Sequence, residues 1–130
     1  MTMSQASVEQ RRLRILVVED EPVARRAMLR LLENRGHRVE AAATPHEAFE
    51  LAAKLSPEIL ITDWKLGGTL DGVEVAARLS EGGEVSVIMV TAHRLDRLNA
   101  DIKASGLDPA AVLRKPISIL ELAEIAESLG

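Results

Sequence analysis

The sequence contains no cysteine, no tyrosine, one phenylalanine and one tryptophan among its 130 residues. Without cysteine there is no disulfide framework, no thiolate metal site and no cysteine nucleophile. The scarcity of aromatic side chains argues against a platform on which bases or sugars stack. No uncharged apolar run is long enough to cross a bilayer, and the first residues lack the apolar segment of a secretory signal. We therefore expect a cytoplasmic protein without a membrane span.

The composition is that of an ordinary globular protein, since 47% of the residues are hydrophobic and 28% are charged. Its length is that of one domain. The net charge of −4 argues against a protein that binds nucleic acid through the phosphates. Positive charge is nevertheless concentrated near the start, where Arg25, Arg26 and Arg30 fall on one predicted helix. We interpret this helix face as solvated or, alternatively, as a docking surface for an acidic partner.

After an irregular polar leader at residues 1–12, short runs rich in valine and isoleucine alternate with helical patterns. The predicted strands are residues 14–18, 38–42, 58–63, 85–91 and 111–114. The predicted helices are residues 22–35, 45–55, 71–81, 93–105 and 119–129. This alternation indicates an α/β protein with a doubly wound, mostly parallel sheet that is covered by helices on both faces. No linker or repeat interrupts residues 13–130, which we interpret as one domain.

Four of the predicted strands end in, or are directly followed by, polar residues, and most of these are charged. From the first strand to the fifth, omitting the second, they are Glu19 with Asp20, Asp63, Thr91 and Lys115. Because ligands bind beyond the carboxyl ends of parallel strands, we expect these side chains to share one site. Clustered carboxylates favour a cation between them, and ligands that are all oxygen favour Mg²⁺. The lysine and the hydroxyl then suit a phosphoryl group, with Asp63 as its nucleophilic acceptor.

Each of these residues also has an ordinary structural interpretation. A strand-end acid such as Asp20 or Asp63 often caps the following helix, and Thr91 would serve equally well as a cap. Lys115 by itself would be a solvated surface lysine. The functional interpretation depends on the combination, because independent caps do not require acids, a hydroxyl and a lysine at the ends of four strands.

Four stretches of the sequence resemble the receiver domain of bacterial two-component response regulators. They are ILVVEDEP (15–22), ILITDWKLGGTLDG (59–72), VIMVTAH (87–93) and LRKPI (113–117). All four occur in the order and on the predicted strands that are typical of this family. The resemblance implies a flavodoxin-like (βα)₅ fold with a five-stranded parallel sheet in the order 2-1-3-4-5, which is typical of this family. The receiver domain would occupy residues 13–130, after a flexible leader at 1–12.

The resemblance implies a phosphorylation site centred on Asp63. This carboxylate would accept a phosphoryl group from a phosphohistidine on a histidine kinase or a histidine phosphotransfer protein. Lys115 would pair with the phosphoryl oxygens, and Thr91 would form a hydrogen bond to them once the domain is phosphorylated. The Lys115–Pro116 bond is a candidate cis peptide, as in relatives. The chain would then be a signalling phosphoacceptor that catalyses only its own phosphorylation and dephosphorylation.

The resemblance also implies the ligands of a Mg²⁺ cofactor. Asp20, Asp63 and the backbone carbonyl of Lys65 would bind the ion directly, whereas Glu19 would act mainly through a bound water. Lys65 stands two residues after the acceptor Asp63, and His93 stands two residues after Thr91. Our hypothesis is that these two side chains gate the water that removes the phosphoryl group; the alternative is that both are merely exposed loop side chains.

Three features depart from the family pattern. Leu66 is followed by Gly67 where a proline is usual, and the loop to Asp71 is one residue longer than usual. Val112 occupies the place of a tyrosine or phenylalanine that acts as a rotating switch. An aromatic rotation is therefore impossible at this position, which leaves Thr91 and the loop after the fourth strand as the remaining route of coupling.

Three further side chains complete the predictions from the sequence. Trp64 is expected to be a partly exposed neighbour of the site that reports ligand binding by its fluorescence. His37 lies at a turn and His46 at a helix start, and both are interpreted as incidental.

The expected partners are a phosphohistidine donor and a downstream protein target that the sequence does not identify. No direct contact with nucleic acid or membrane is expected. Relatives suggest a homodimer through the fourth helix, fifth strand and fifth helix, or through the first and fifth helices. The last predicted helix ends at the last residues, so no output domain is expected here, and a stand-alone receiver and an excised one fit equally well.

Two alternative functions stay open. One is a small aspartate-nucleophile phosphatase of the haloacid dehalogenase type, although Lys65 stands where that class has a second acid and no cap domain is evident. The other is an unphosphorylated scaffold with the same fold.

Overall fold

Strands and helices alternate along the residues that this computed structural model describes, which are 11–68 and 70–130. The strands are β1 (Arg14–Val18), β2 (Arg38–Ala42), β3 (Ile59–Asp63), β4 (Ser86–Thr91) and β5 (Ala111–Arg114). The helices are α1 (Pro22–Asn34), α2 (Pro45–Leu55), α3 (Gly72–Leu79), α4 (Leu95–Ser105) and α5 (Ile119–Leu129). Every predicted element is present with its ends shifted by two residues at most. Of the predicted leader, residues 1–10 lie outside the described part of the chain.

The five parallel strands form one sheet in the order β2-β1-β3-β4-β5, which confirms the predicted topology. The order reverses between β1 and β3, where a ligand site is expected in folds of this kind. In the register, Val18 of β1 is paired with Thr62 of β3, and Asp63 is paired with Val90 of β4. The residues that follow β1 and β3 therefore lie side by side at one edge of the sheet.

Both faces of the sheet are covered by helices. Ile15 and Val17 of β1 pack on one face with α1 and α5. Leu16 and Val18 pack on the other face with α2, α3 and α4. Successive side chains of a strand point to opposite faces, so a strand that is buried on both faces is apolar throughout. Burying each valine, leucine or isoleucine side chain contributes roughly 1.5–3 kcal/mol to stability. Among the described residues, no helix is long and apolar enough to cross a bilayer.

Polar side chains fix the starts of three helices. At the starts of α2, α3 and α5, the side chain that precedes the helix accepts the amide N–H of the third helical residue at 3.0–3.1 Å; these residues are Thr44, Asp71 and Ser118. Such caps satisfy donors that have no partner inside the helix and contribute about 1 kcal/mol each. The end of α3 at Leu79 comes two residues earlier than predicted, and Gly82, with a φ of 97°, turns the chain towards β4.

The interpretation of His37 as incidental is wrong. The side chain is buried, and its Nδ1 accepts the amide N–H of Leu13 at 3.1 Å. Its Nε2 lies 2.7 Å from the Glu127 carboxylate of α5, which also binds the Arg35 guanidinium. Because Nδ1 accepts a hydrogen bond, the network assigns the proton of the neutral ring to Nε2, which donates to Glu127. The hydrogen bond from Arg35 outweighs partial burial and, together with that from His37, lowers the pKa of Glu127 to about 2.

Candidate functional site

Three carboxylates meet at the edge of the sheet where β1 and β3 end. Glu19, Asp20 and Asp63 each offer a carboxylate oxygen, and these oxygens lie within 4.8 Å of one another. Glu19 is buried, Asp63 is half-buried and Asp20 is exposed. All three are hard oxygen ligands of the kind that Mg²⁺ prefers, and their mutual repulsion favours a cation between them. The structure thus brings together the acids that the sequence places at these two strand ends.

The Lys115 ammonium joins the acids from the end of β5. Its backbone N–H donates to the Thr91 carbonyl at 2.7 Å, which fixes the residue beside the end of β4. Its Nζ donates to Glu19 Oε1 at 3.0 Å and to Asp63 Oδ2 at 3.1 Å. Burial lowers the pKa of Lys115, but the hydrogen bonds to the two carboxylates outweigh burial and raise this pKa above its usual value. The lysine is therefore charged at neutral pH, and its bond to Pro116 is cis, as the resemblance implies.

The backbone around Asp63 fixes the direction of its carboxylate. β3 is paired with β1 on one side and with β4 on the other, so Asp63 lies at the end of a strand held from both sides. Its Oδ1 accepts the amide N–H of Trp64 at 2.8 Å, and its carbonyl accepts the Thr62 hydroxyl at 2.9 Å. Its Oδ2 is consequently directed at Lys115.

The two acids after β1 differ in how far their carboxylates are already engaged. Glu19 Oε1 accepts from Lys115, and its Oε2 accepts the amide N–H of Glu21 at 3.1 Å. Within residues 11–68 and 70–130, no donor reaches the Asp20 carboxylate. Asp20 is therefore better placed than Glu19 to bind an ion directly.

Thr91 lies at the end of β4 and is fully buried. Its hydroxyl accepts the amide N–H of His93 at 2.9 Å. This hydrogen bond ties the hydroxyl to the loop between β4 and α4, which begins directly after it.

The expectation that Trp64 is partly exposed is wrong, because the side chain is 4% exposed and packs into the core with α2, α3 and α4. Two side chains lie against its ring. The Lys65 ammonium is 4.1 Å from the ring centroid, and the His93 ring meets the indole edge-on at 5.9 Å. The indole Nε1 has no hydrogen-bond partner among the described residues. Lys65 and His93 are thus both in contact with the residue that follows Asp63.

Val112 is half-buried on β5, where it is paired with Met89 of β4. It packs against the core that the sheet shares with α2, α3 and α4. An isopropyl group at this position offers no ring that could move between a buried and an exposed orientation.

Gly72 is a residue that the sequence reasoning did not single out, and its backbone passes directly against Asp63. Its amide N–H donates to the Trp64 carbonyl at 2.6 Å. A Cβ at Gly72 would lie 2.8 Å from the carbonyl carbon of Asp63 and 3.1 Å from Thr62 Oγ1. Only glycine permits this approach. The available signal was a glycine at the first position of a helix, where residues with higher helix propensity are usual.

Comparison with known proteins agrees with this geometry. Residues 15–127 match the family model described as the response regulator receiver domain. The positive alginate biosynthesis regulatory protein of Pseudomonas aeruginosa is 38% identical over an alignment of 117 positions, which covers 86% of this chain and 45% of that protein. The chain spans about half the length of the curated relatives it matches.

Solved structures share the fold. A response regulator receiver domain from Clostridium thermocellum has a TM-score of 0.74 and 26% identity, over 88% of this chain and 90% of that one. A response regulator protein from Burkholderia pseudomallei, solved with a phosphorylated aspartic acid, a calcium ion and citrate, has a TM-score of 0.74 and 25% identity, over 86% of this chain and 65% of that one. The family match covers nearly the whole sheet and all but the last two residues of α5. On these grounds the chain belongs to the family of response regulator receiver domains.

Proposed function

We propose that this chain is a phosphorylation-dependent signalling switch in which Asp63 accepts the phosphoryl group. The observation that carries the proposal is the Lys115 ammonium, which bridges Asp63 and Glu19 beside the exposed Asp20. A lysine adds little to a metal site, but beside an acceptor carboxylate it stabilises the negative charge of a phosphoryl group. The phosphorylated aspartic acid in the Burkholderia pseudomallei protein supports the same chemistry.

The phosphoryl donor is a phosphohistidine on a histidine kinase or a histidine phosphotransfer protein. One carboxylate oxygen of Asp63 attacks the phosphorus and forms a P–O bond, while the P–N bond to the histidine breaks. The imidazole leaves with the electron pair of that bond and takes up a proton. Lys115 already donates to Asp63 Oδ2, so its charge is in place where the phosphoryl oxygens arrive. The residues that promote the transfer are thus the receiver's own, and the chain turns over no other substrate.

The acids fit a Mg²⁺ cofactor. Asp20, Asp63 and the backbone carbonyl of Lys65 would hold the ion directly. Glu19 would act through a water, because its carboxylate is buried as well as engaged in two hydrogen bonds, whereas Asp63 is half-buried. Bound there, Mg²⁺ would neutralise negative charge on the phosphoryl oxygens.

Phosphorylation acts on the rest of the domain through Thr91. Its hydroxyl accepts the His93 amide N–H, so a movement of the hydroxyl towards the phosphoryl group either pulls His93 along or breaks this hydrogen bond. In both cases the loop between β4 and α4 changes its conformation, which shifts a pre-existing equilibrium between two states of the domain. Val112 cannot contribute an aromatic rotation, so this loop is the route of coupling.

Lys65 and His93 set how long the phosphoryl group lasts. Both lie against Trp64, the residue that follows Asp63. From there they limit the access of the water that attacks the phosphorus.

The partners follow from the same interpretation. The donor docks on α1, whose Arg26 and Arg30 are exposed. Val23 of α1 and Leu120 of α5 are exposed large hydrophobic side chains, which supports the α1 and α5 face as an interaction surface. A homodimer forms there or through α4, β5 and α5, and an unidentified downstream protein binds without direct contact of this domain with nucleic acid. The domain bounds of 13–130 and the cytoplasmic location stay predictions.

The test is intact-mass spectrometry of the wild type and Asp63→Asn after treatment with acetyl phosphate or phosphoramidate, with and without Mg²⁺. We expect a single phosphoryl adduct that requires both Asp63 and Mg²⁺. A wild type that takes up no phosphoryl group would indicate a scaffold. Turnover of an added phosphomonoester would indicate the aspartate-nucleophile phosphatase, and either result contradicts the proposal.

A further inference from the structure

Arg25 makes contacts that the sequence does not predict. The sequence groups it with Arg26 and Arg30 on a solvated face of α1, and those two side chains are exposed. Arg25 is instead half-buried, and its Nη1 donates to the backbone carbonyl of Glu19 at 2.9 Å and to that of Asp20 at 3.3 Å. The interpretation of Arg25 as part of a solvated face is therefore wrong.

The direction of α1 explains why Arg25 reaches this loop. Side chains of a helix tilt towards its N-terminus and lie over the preceding turn. The Arg25 amide N–H donates to the Glu21 carbonyl at 2.9 Å, so the residue stands on the first turn of α1. Its guanidinium consequently extends past the start of the helix to the residues that join β1 to α1.

Arg25 matters more to Asp20 than to Glu19. Glu19 is also fixed by its amide N–H, which donates to the Ala42 carbonyl at 3.0 Å, and by two hydrogen bonds to its carboxylate. Among the described residues, the hydrogen bond from Arg25 is the contact that holds the backbone of Asp20. Of the two residues, Asp20 is therefore the one whose backbone depends more on this guanidinium.

We propose that Arg25 is a positioning residue for the cation site. It fixes the backbone of Glu19 and Asp20 and thereby directs the Asp20 carboxylate at the ion that Asp20 and Asp63 share. The inference rests on the proposed function, because it concerns the affinity of this same site for Mg²⁺.

Charge and positioning predict opposite effects when Arg25 is removed. A cation near a divalent ion repels it, so the loss of its charge alone would tighten the binding of Mg²⁺. The loss of a group that orients a ligand weakens binding, typically by about 10- to 100-fold for residues that contact metal ligands. The sign of the change in affinity therefore separates the two roles.

The experiment compares Arg25→Met and Arg25→Lys with a matched control, Arg26→Met. The control removes the same charge from the adjacent, exposed position of the same helix. MgCl₂ is titrated into each metal-free protein, and binding is followed by the amide NMR shifts. We expect Arg25→Met to raise the Kd for Mg²⁺ by about tenfold or more. Arg26→Met should stay within about twofold of the wild type, because exposed charges are screened.

Arg25→Lys keeps the charge on a side chain that is one bond shorter and has no planar fork, so we expect an intermediate Kd. A second measurement needs no metal. The Glu21 amide N–H donates to Glu19 Oε2, and its hydrogen exchange should be faster in Arg25→Met than in Arg26→Met.

A Kd for Arg25→Met that equals or falls below that of the wild type overturns the inference. If Arg25→Met does not fold, Arg25→Lys decides, since unchanged affinity in that variant overturns the inference and weaker affinity supports it. A wild type that binds no Mg²⁺ contradicts the proposed function and this inference with it. If the wild type binds Mg²⁺ but no more tightly than Arg25→Met, only this inference is contradicted and the proposed function is not.

Discussion

Replacing Gly72 with alanine pushes a methyl group into the backbone of Asp63. The added Cβ would lie 2.8 Å from the Asp63 carbonyl carbon and closer still to the carbonyl oxygen, whereas ordinary contacts begin at 3.4 Å. The two backbones must therefore separate by at least about 0.6 Å. Because both partners are main chain, no side-chain rotation relieves the contact. The start of α3 or the end of β3 has to move.

This displacement has two measurable consequences. Overpacking of a close contact costs about 1–3 kcal/mol of unfolding free energy. A displacement of about 1 Å at a reacting group slows a reaction by about 100-fold, so a shift of this size should slow phosphorylation of Asp63 by roughly 10- to 100-fold. Stability and phosphorylation should therefore fall together in Gly72→Ala.

Urea unfolding and a mass-spectrometric time course with acetyl phosphate measure the two effects. Gly68→Ala is the matched control, because it adds the same methyl group to the loop that precedes Gly72, with nothing within 4 Å of the new Cβ. We expect this control to stay within about 0.5 kcal/mol of the wild type. A Gly72→Ala variant as stable and as rapidly phosphorylated as Gly68→Ala would refute the reasoning.

Three further predictions concern charges and access. Lys115→Met leaves clustered carboxylates without their cation, so it should lower the urea midpoint, and added Mg²⁺ should recover much of the loss by binding the folded state. The pKa of Glu127 is lowered to about 2 from an ordinary 4.5, so its contribution to stability is present above pH 4.5 and is lost as the pH falls towards 2. Glu127→Gln should therefore flatten the pH dependence of the urea midpoint in that window, whereas an unchanged slope would contradict the role of the pair. Lys65→Ala and His93→Ala should each change the rate at which the phosphoryl adduct is lost in a mass-spectrometric chase, and an unchanged rate in either variant would exclude the hypothesis that the two side chains gate the water.

The acid cluster was predictable from the sequence because it depends on chain direction rather than on packing. Once the apolar runs are read as parallel strands, their carboxyl ends must lie on one edge of the sheet. Glu19, Asp20 and Asp63 then come together regardless of the details of the helices. The edge position of β2 follows from composition, since Arg38–Ala42 has too few large apolar side chains to fill two buried faces.

The contacts of Trp64, His37 and Arg25 were not predictable, because each depends on how a particular side chain is covered. Trp64 stands in a loop by sequence, yet Lys65 and His93 close over its ring. His37 follows a helix end, but the position of α5 supplies its carboxylate partner from 90 residues away in the sequence. Periodicity assigns a residue to a helix face but does not tell which atoms a long side chain reaches.

Two features bear on how the domain would transmit a signal. Val112 stands in place of an aromatic residue, and the His93 amide N–H donates to the Thr91 hydroxyl. The family resemblance implies that an aromatic residue at position 112 would act as a rotating switch. Valine is already packed into the core opposite Met89 and has no second orientation of different exposure. The Thr91 hydroxyl is joined instead to the amide of His93, and the His93 ring lies against Trp64 beside the acceptor. In the proposed switch, a change at Asp63 would therefore reach the loop between β4 and α4 through Thr91 and through Trp64, and both of these residues contact His93.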